Sequence, residues 1–273
     1  MIKDITIGQF FPGTSFLHRL DARMKIVLTF AIIVIIFLCK SFFSLGLMVV
    51  FTVALILVSR VPLKTILKSL KPIIFIVVFT ALLNIFYTTG DANSWTYEFW
   101  IFKITEKGVF TALFMAVRII CLVIISSLLT YTTTPTGLTD ALERLLSPLK
   151  VFKIEAHTIA MMMTLALRFI PTLIEEIDRI MNAQKARGAN WESGSLVNRA
   201  KALIPVLIPL FVSSFRRAYE LAFAMECRCY TGGKGRTRMK QMKFGVRDFA
   251  ALVLTGTLLA GIISLNIFFP KVI

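Results

Sequence analysis

The sequence predicts an all-α integral membrane protein with about five transmembrane helices and three cytoplasmic amphipathic helices, the last two long. Three observations predict it. Of the 273 residues, 57% are hydrophobic and the mean hydropathy is +0.79. A soluble domain cannot bury that much apolar side chain beneath a polar coat. Several charge-free runs approach the ~20 residues that a helix needs to cross a bilayer. Two later segments keep an apolar stripe at helical spacing but are too charged to span.

The runs come in order. Fourteen uncharged residues lie between Lys25 and Lys40, and nineteen between Lys40 and Arg60. Nineteen separate Lys71 from Asp91, and twenty-two separate Asp248 from Lys271. Between Gly108 and Thr139 Arg118 is the one charge. The first run is short and reaches spanning length only if Lys25 and Lys40 extend outward along their own stems. Residues 1–23 lack the apolar centre of a cleavable leader, being interrupted by Lys3, Asp4, His18, Arg19, Asp21 and Arg23.

Loop charge sets an expected orientation. Arg60, Lys64, Lys68 and Lys71 form a basic segment without an acid and are expected on the cytoplasmic side. The loop with Asp91, Glu98 and Glu106 is expected outside. The stretch 132–248, with eighteen basic and ten acidic residues, is expected inside. These agree on an N-terminus inside and a C-terminus outside. The formal net charge of +16 is therefore read as a topology signal, not a nucleic-acid surface, since no basic domain stands apart from the apolar runs. Arg118, inside a span, either lines a solute path or is structural, pairing within the bundle or extending to the interface, and the structural role is expected.

The divisions read from the sequence are 1–131, with four transmembrane helices, 132–248, cytoplasmic, and 249–273, the last transmembrane helix. In the middle division, Thr133 and Thr134 before Pro135 give helix-start chemistry, and Leu138, Leu142, Leu145 and Leu146 form one stripe up to Pro148. A long helix is predicted from about Glu155 to Arg187, with a bend at Pro171 and an apolar row through Met162, Met163, Ala166, Phe169, Ile170 and Leu173. A second is predicted from about Ser195 to Arg228, its apolar middle including Leu207 and Phe211. The basic run Lys234, Arg236, Arg238, Lys240, Lys243 and Arg247 suits anionic headgroups, a partner, or an ordinary positive-inside flank.

Both long helices end alike. The first closes on Ala183, Ala186, Arg187 and Gly188, the second on Ala224, Cys227, Arg228 and Cys229, forty-one positions later. Small neighbours admit another chain's backbone, and a guanidinium offers five donors in a rigid fork. A lone arginine there could equally complement the helix dipole. Its repetition points to paired docking of two similar partners.

These features resemble the T component of energy-coupling-factor transporters, the membrane scaffold of bacterial and archaeal vitamin uptake systems. The resemblance extends over the five spans, the Thr134-Pro135 helix, the run from Leu165 to Pro171, and both tips. It implies a non-catalytic subunit in the bacterial cell membrane whose two coupling helices end in Ala-Arg-Gly motifs. Each arginine, here Arg187 and Arg228, would dock into one of two ABC-type ATPases, which bind the ATP and magnesium. This chain would bind no cofactor or metal itself. A separate substrate-binding membrane protein, the S component, would rest on the apolar faces, with Met162, Met163, Ala166, Phe169, Ile170, Leu207 and Phe211 as candidate contacts. The second motif departs from the pattern, since Cys229 stands where glycine would be the easiest left-handed helix stop. Cys227 and Cys229 are expected as free thiols; a thiol switch or half a metal site is the other reading.

Two rivals remain, a stand-alone secondary transporter and a membrane scaffold for other partners. The first usually carries repeated halves with broken helices, and none is evident. Gly232 to Gly235 lacks the phosphate-binding loop pattern, so no ATPase is expected in this chain.

Overall fold

A helix-starting group precedes most of the helices. Asp21 accepts a hydrogen bond from the backbone N–H of Arg23 (2.9 Å) and opens α1, Ala22–Leu38. Ser41 donates its backbone N–H to Ser44 Oγ (3.2 Å), which returns a bond to the Ser41 carbonyl, at the head of α2, Phe42–Ser59. α3 is Leu63–Tyr87, followed by the strands β1, Thr96–Phe99, and β2, Phe102–Thr105. Thr105 Oγ1 accepts from Gly108 N–H and opens α4, Glu106–Thr132. Thr134 Oγ1 accepts from Gly137 N–H, with Pro135 at the first position of α5, Pro135–Leu146. The long helices α6, Ala156–Ala186, and α7, Leu196–Cys227, follow, and α8, Val246–Phe268, ends the series.

This computed structural model describes residues 10–87, 96–99, 102–148, 156–189, 196–232 and 244–269. Asp91, Glu155, Ser195 and the basic residues Lys234 to Lys243 lie outside them. Among the described residues the regular structure is helical apart from β1 and β2, which pair antiparallel from Thr96↔Thr105 to Phe99↔Phe102 in the connection between α3 and α4.

Among the described residues, five helices are long and apolar enough to cross a membrane: Phe42–Ser59, Leu63–Phe86, Glu106–Thr132, His157–Ala186 and Val246–Phe268. The chain is a multi-pass membrane protein. Four of the five coincide with runs read from the sequence. His157–Ala186 meets the length and composition requirement although the charges near its end suggested a helix outside the bilayer; it is the least apolar, at hydropathy 1.4 against 2.0 or more for the others. α1, with 17 residues, falls just short of that length. Even so, α1 shows bare Phe30, Val34 and Phe37 on one side and buries Ile32, Ile35 and Ile36 on the other.

The chain divides into two compact units, one of residues 8–141 with 241–273, the other of 142–240 with 1–7. In the first, Ile32, Ile35 and Ile36 of α1 pack with Leu45 and Met48 of α2, Phe114, Cys121 and Ile125 of α4, and Leu258 and Ile262 of α8. α3 lies along α4, with Ile66 meeting Leu128 and Tyr131. A Cβ at Gly108 would stand 3.2 Å from the Ile85 carbonyl, so the missing side chain permits that approach.

Polar groups join helix ends that are far apart in sequence. Asp248 accepts from its own cap residue Gly245 (2.8 Å) and from Asp21 N–H (2.9 Å), fastening the start of α8 to the start of α1. Buried Lys25 donates to the Thr132 carbonyl (2.8 Å) and so caps the end of α4. At the other end of α1, Arg118 donates to the Cys39 carbonyl, and Asn266 Nδ2 donates to the Leu38 carbonyl (2.8 Å). Arg118 also lies 4.9 Å from the Phe114 ring centroid. Half-buried in a span, it finds these partners within the bundle.

Candidate functional site

Both long helices follow the predicted bounds within about a residue or two where described, because an amphipathic period of 3.6 marks a helix from its apolar face alone. α6 runs without a break through Pro171, and α7 through Pro205 and Pro209. Their contacts run in opposite senses. Tyr230 Oη donates to Met161 Sδ (2.8 Å), Arg217 pairs with Glu176, and Gln184 Nε2 donates to the Pro205 carbonyl (3.4 Å). The pair is therefore an antiparallel hairpin. Arg187 falls at one end and Arg228 at the other, separated by the stretch of α7 from Pro205 to Arg228, about 35 Å at ~1.5 Å per residue.

The tips close with the same pair of cap bonds, although Arg187 N–H also reaches the Ala183 carbonyl (3.3 Å). After α6, Gly188 N–H donates to the Lys185 carbonyl (3.0 Å) and Ala189 N–H to Gln184 (3.0 Å), with Gly188 at φ 85°. After α7, Cys229 N–H donates to Glu226 (2.8 Å) and Tyr230 N–H to Met225 (3.0 Å), with Cys229 at φ 53°. Each is a Schellman stop with a left-handed residue just past the arginine. The glycine missing from the second motif does not change the cap; Cys229 takes the left-handed conformation instead, at a cost glycine would avoid.

Exposure repeats as well. Ala183, Ala186, Arg187 and Gly188 are exposed, as are Ala224, Cys227, Arg228 and Cys229, while Gln184 and Ala189 match Met225 and Tyr230 in being half-buried. Neither arginine is buried against its own chain, so each fork is presented outward. Cys227 and Cys229 are free thiols, as are buried Cys39 and Cys121.

The expected apolar platform is only partly covered by the hairpin. Met162, Met163, Leu207 and Phe211 are exposed by 56%, 40%, 57% and 65%, and Ala166 is exposed too. Phe169 and Ile170 are half-buried. Among the described apolar residues of this unit, Ala160 and Val206 alone are buried. Phe215, Tyr219 and Phe223 continue the bare row of α7. Sequence reasoning did not single them out, although their spacing of four from Phe211 was a legible sign of one helix ridge. Nor did it pair Glu176 with α7, where Glu176 accepts from Ser213 Oγ (3.4 Å) as well as from Arg217. His157 contacts Glu143 (3.1 Å).

A family model described as Cobalt transport protein (CbiQ) matches residues 13–239. A relative in Ruminiclostridium cellulolyticum, named energy-coupling factor transporter transmembrane protein EcfT, is 51% identical over 98% of this chain and 100% of its own length. Proteins of the same name from Clostridium kluyveri and Bacillus subtilis are 54% and 44% identical, covering 92% and 93% of this chain and 93% and 95% of theirs. The chain belongs to the EcfT family. It is thus a membrane component of an energy-coupling factor transporter. The matched stretches span nearly the whole chain and include the positions of both tips.

Proposed function

We propose that this EcfT chain is the non-catalytic scaffold that couples two partner ABC-type ATPases to uptake of a vitamin or other micronutrient. Arg187 and Arg228 each enter a groove of one ATPase, flanked by Ala183, Ala186 and Gly188 at one tip and Ala224, Cys227 and Cys229 at the other. The observation that carries this reading is the shared left-handed cap of the two tips at opposite ends of one hairpin. Two equal plugs about 35 Å apart suit two similar sockets that move relative to each other. ATP and magnesium belong to the partners, and this chain binds neither.

A substrate-binding S component rests on the apolar row of Met162, Met163, Ala166, Phe169, Ile170, Leu207 and Phe211. Bare methionine adapts to differently shaped surfaces, which suits several such partners in turn. In the proposed topology α1, α2, α3, α4 and α8 cross the bacterial cell membrane, and α6 and α7 lie along its cytoplasmic side. The N-terminus is then inside and the C-terminus outside. The charged row Glu175, Glu176, Asp178 and Arg179 supports keeping α6 out of the hydrocarbon, where each ionised side chain costs ~2.5–3.5 kcal/mol at the centre.

The test is to tag the chain in its native membrane, solubilise gently and identify what co-purifies. Two ABC ATPases with small, very hydrophobic membrane proteins are expected. Recovery with no ATPase would contradict the reading and return the secondary-transporter and scaffold alternatives.

A further inference from the structure

The bundle of the first unit contains a groove of about 410 Å³, within the range of ligand sites in general. Its walls come from α1 (Leu28, Ile32), α2 (Ala54, Val58), α4 (Ile125, Leu128) and α8 (Ala251, Leu254), and the turn at Phe16 closes one end. Leu28 and Leu128 are buried, whereas Ala54, Val58 and Leu254 are exposed. The groove therefore opens sideways between α2 and α8, onto surface that in a membrane protein meets acyl chains. From the level of Lys25 to that of Ile32 it is about 10 Å deep at ~1.5 Å per residue, a large part of one ~15 Å leaflet.

One end is not apolar. The Lys25 ammonium lines the groove, donates to the carbonyls of Thr132 (2.8 Å) and His18 (3.4 Å) and to Thr133 Oγ1 (3.5 Å), and has the carboxylates of Asp248 and Arg23-paired Asp21 nearby. Arg19, between the lining residues Leu17 and Leu20, is exposed, as is Arg60, two residues beyond Val58. An apolar slot with a lateral mouth and a cationic end matches the two parts of a membrane lipid with a negative headgroup. Water has few partners along such walls, and a bare cavity of this size forfeits packing.

We propose that this groove holds one acyl chain of an anionic phospholipid, seated against Leu28, Ile32, Ile125 and Leu128, with its phosphate at the end marked by Lys25, Arg19 and Arg60. The lipid is a wedge shared by α1, α2, α4 and α8, and it makes packing of this bundle depend on headgroup charge. The proposal is independent of the docking role of the helix tips.

The test uses the full chain in phosphatidylcholine vesicles containing a trace of phosphatidylglycerol with a mid-chain diazirine. After photolysis, the labelled residues are mapped by peptide mass spectrometry. The same measurement with a phosphatidylcholine analogue and with a free fatty-acid analogue distinguishes the sources. Label on buried Leu28, Ile125 and Leu128 is expected, at least about fivefold stronger from phosphatidylglycerol than from phosphatidylcholine. Ala54→Phe or Ala251→Phe should remove the inner label while exposed Phe30 and Phe75 remain labelled, which shows that the fold persists. Arg19→Gln with Arg60→Gln should remove the headgroup preference and keep the inner label. Label confined to exterior residues, inner label that survives both cavity-filling changes, equal labelling by the two phospholipids, or stronger labelling by the fatty acid overturns the proposal.

Discussion

Cys229 sits at φ 53° where its counterpart Gly188 sits at φ 85°, and that difference predicts the effect of exchanging the two residue types. An L-residue held in the left-handed region costs roughly 1–2 kcal/mol. Glycine relieves that but adds ~0.4–1 kcal/mol of unfolded-chain entropy. Cys229→Gly should thus stabilise the second tip by about 0.5–1 kcal/mol, and Gly188→Ala should destabilise the first by about the same or somewhat more. Open space surrounds Gly188, with no atom within 4 Å of an added Cβ, so the backbone alone sets its cost. The assay is amide hydrogen exchange of the purified chain, corrected for the intrinsic rate of each residue type. Cys229→Gly should slow exchange at residues 229 and 230, whose N–H groups close the cap on Glu226 and Met225, by about two- to fivefold. Gly188→Ala should speed exchange at residues 188 and 189 by a comparable or larger factor. Unchanged or faster exchange in Cys229→Gly would refute the shared left-handed cap, and with it the equivalence of the tips.

Other perturbations separate packing from docking. Breaking the Glu176–Arg217 pair, whose side chains are 25% and 33% exposed, with Glu176→Ala should loosen the hairpin by ~1 kcal/mol. Limited proteolysis between α6 and α7 should then quicken, and the swap Glu176→Arg with Arg217→Glu should restore resistance. Asp248→Ala removes the acceptor for two backbone N–H groups and should cost ~2 kcal/mol, seen as a lower unfolding temperature in detergent, with Asp248→Asn intermediate. Met162→Ala with Met163→Ala removes side chains that are already bare, so unfolding temperature should hold while retention of the S component falls; full retention would remove these residues from the contact surface.

The parts of the fold that were legible are those set by local period. The apolar rows of α6 and α7 give their bounds, and the repeated arginine ends give the candidate tips, because both are properties of one helix at a time. Charge-free windows located membrane depth but not helix length. α3 begins at Leu63, well before Lys71, because Lys64, Lys68 and Lys71 recur at helical spacing and continue the helix past the apolar run. His157–Ala186 shows the opposite limit, since composition allows a span that its one-sided charge argues against. Contacts across the chain left no local mark. Asp248 meets Asp21 from 227 residues away, and Lys25 caps Thr132 from 107 away. Glu176 and Arg217 look like ordinary surface charges until the register of the hairpin is known. Cys229 shows where a residue preference gave way, since the hydrogen bonds of the stop outweigh the strain of a non-glycine residue there.

The most direct test of the central claim is retention of the two ATPases by Arg187→Ala, by Arg228→Ala and by the double variant, each tagged and purified from membranes beside the unaltered chain. Removing one arginine from a buried charge-assisted contact costs ~2–5 kcal/mol, enough to weaken binding by about thirtyfold or more. Each single variant should lose ATPase, the double variant should lose both and all uptake, and every variant should still insert in the membrane. ATPases retained at full yield with undiminished uptake in the double variant would contradict it.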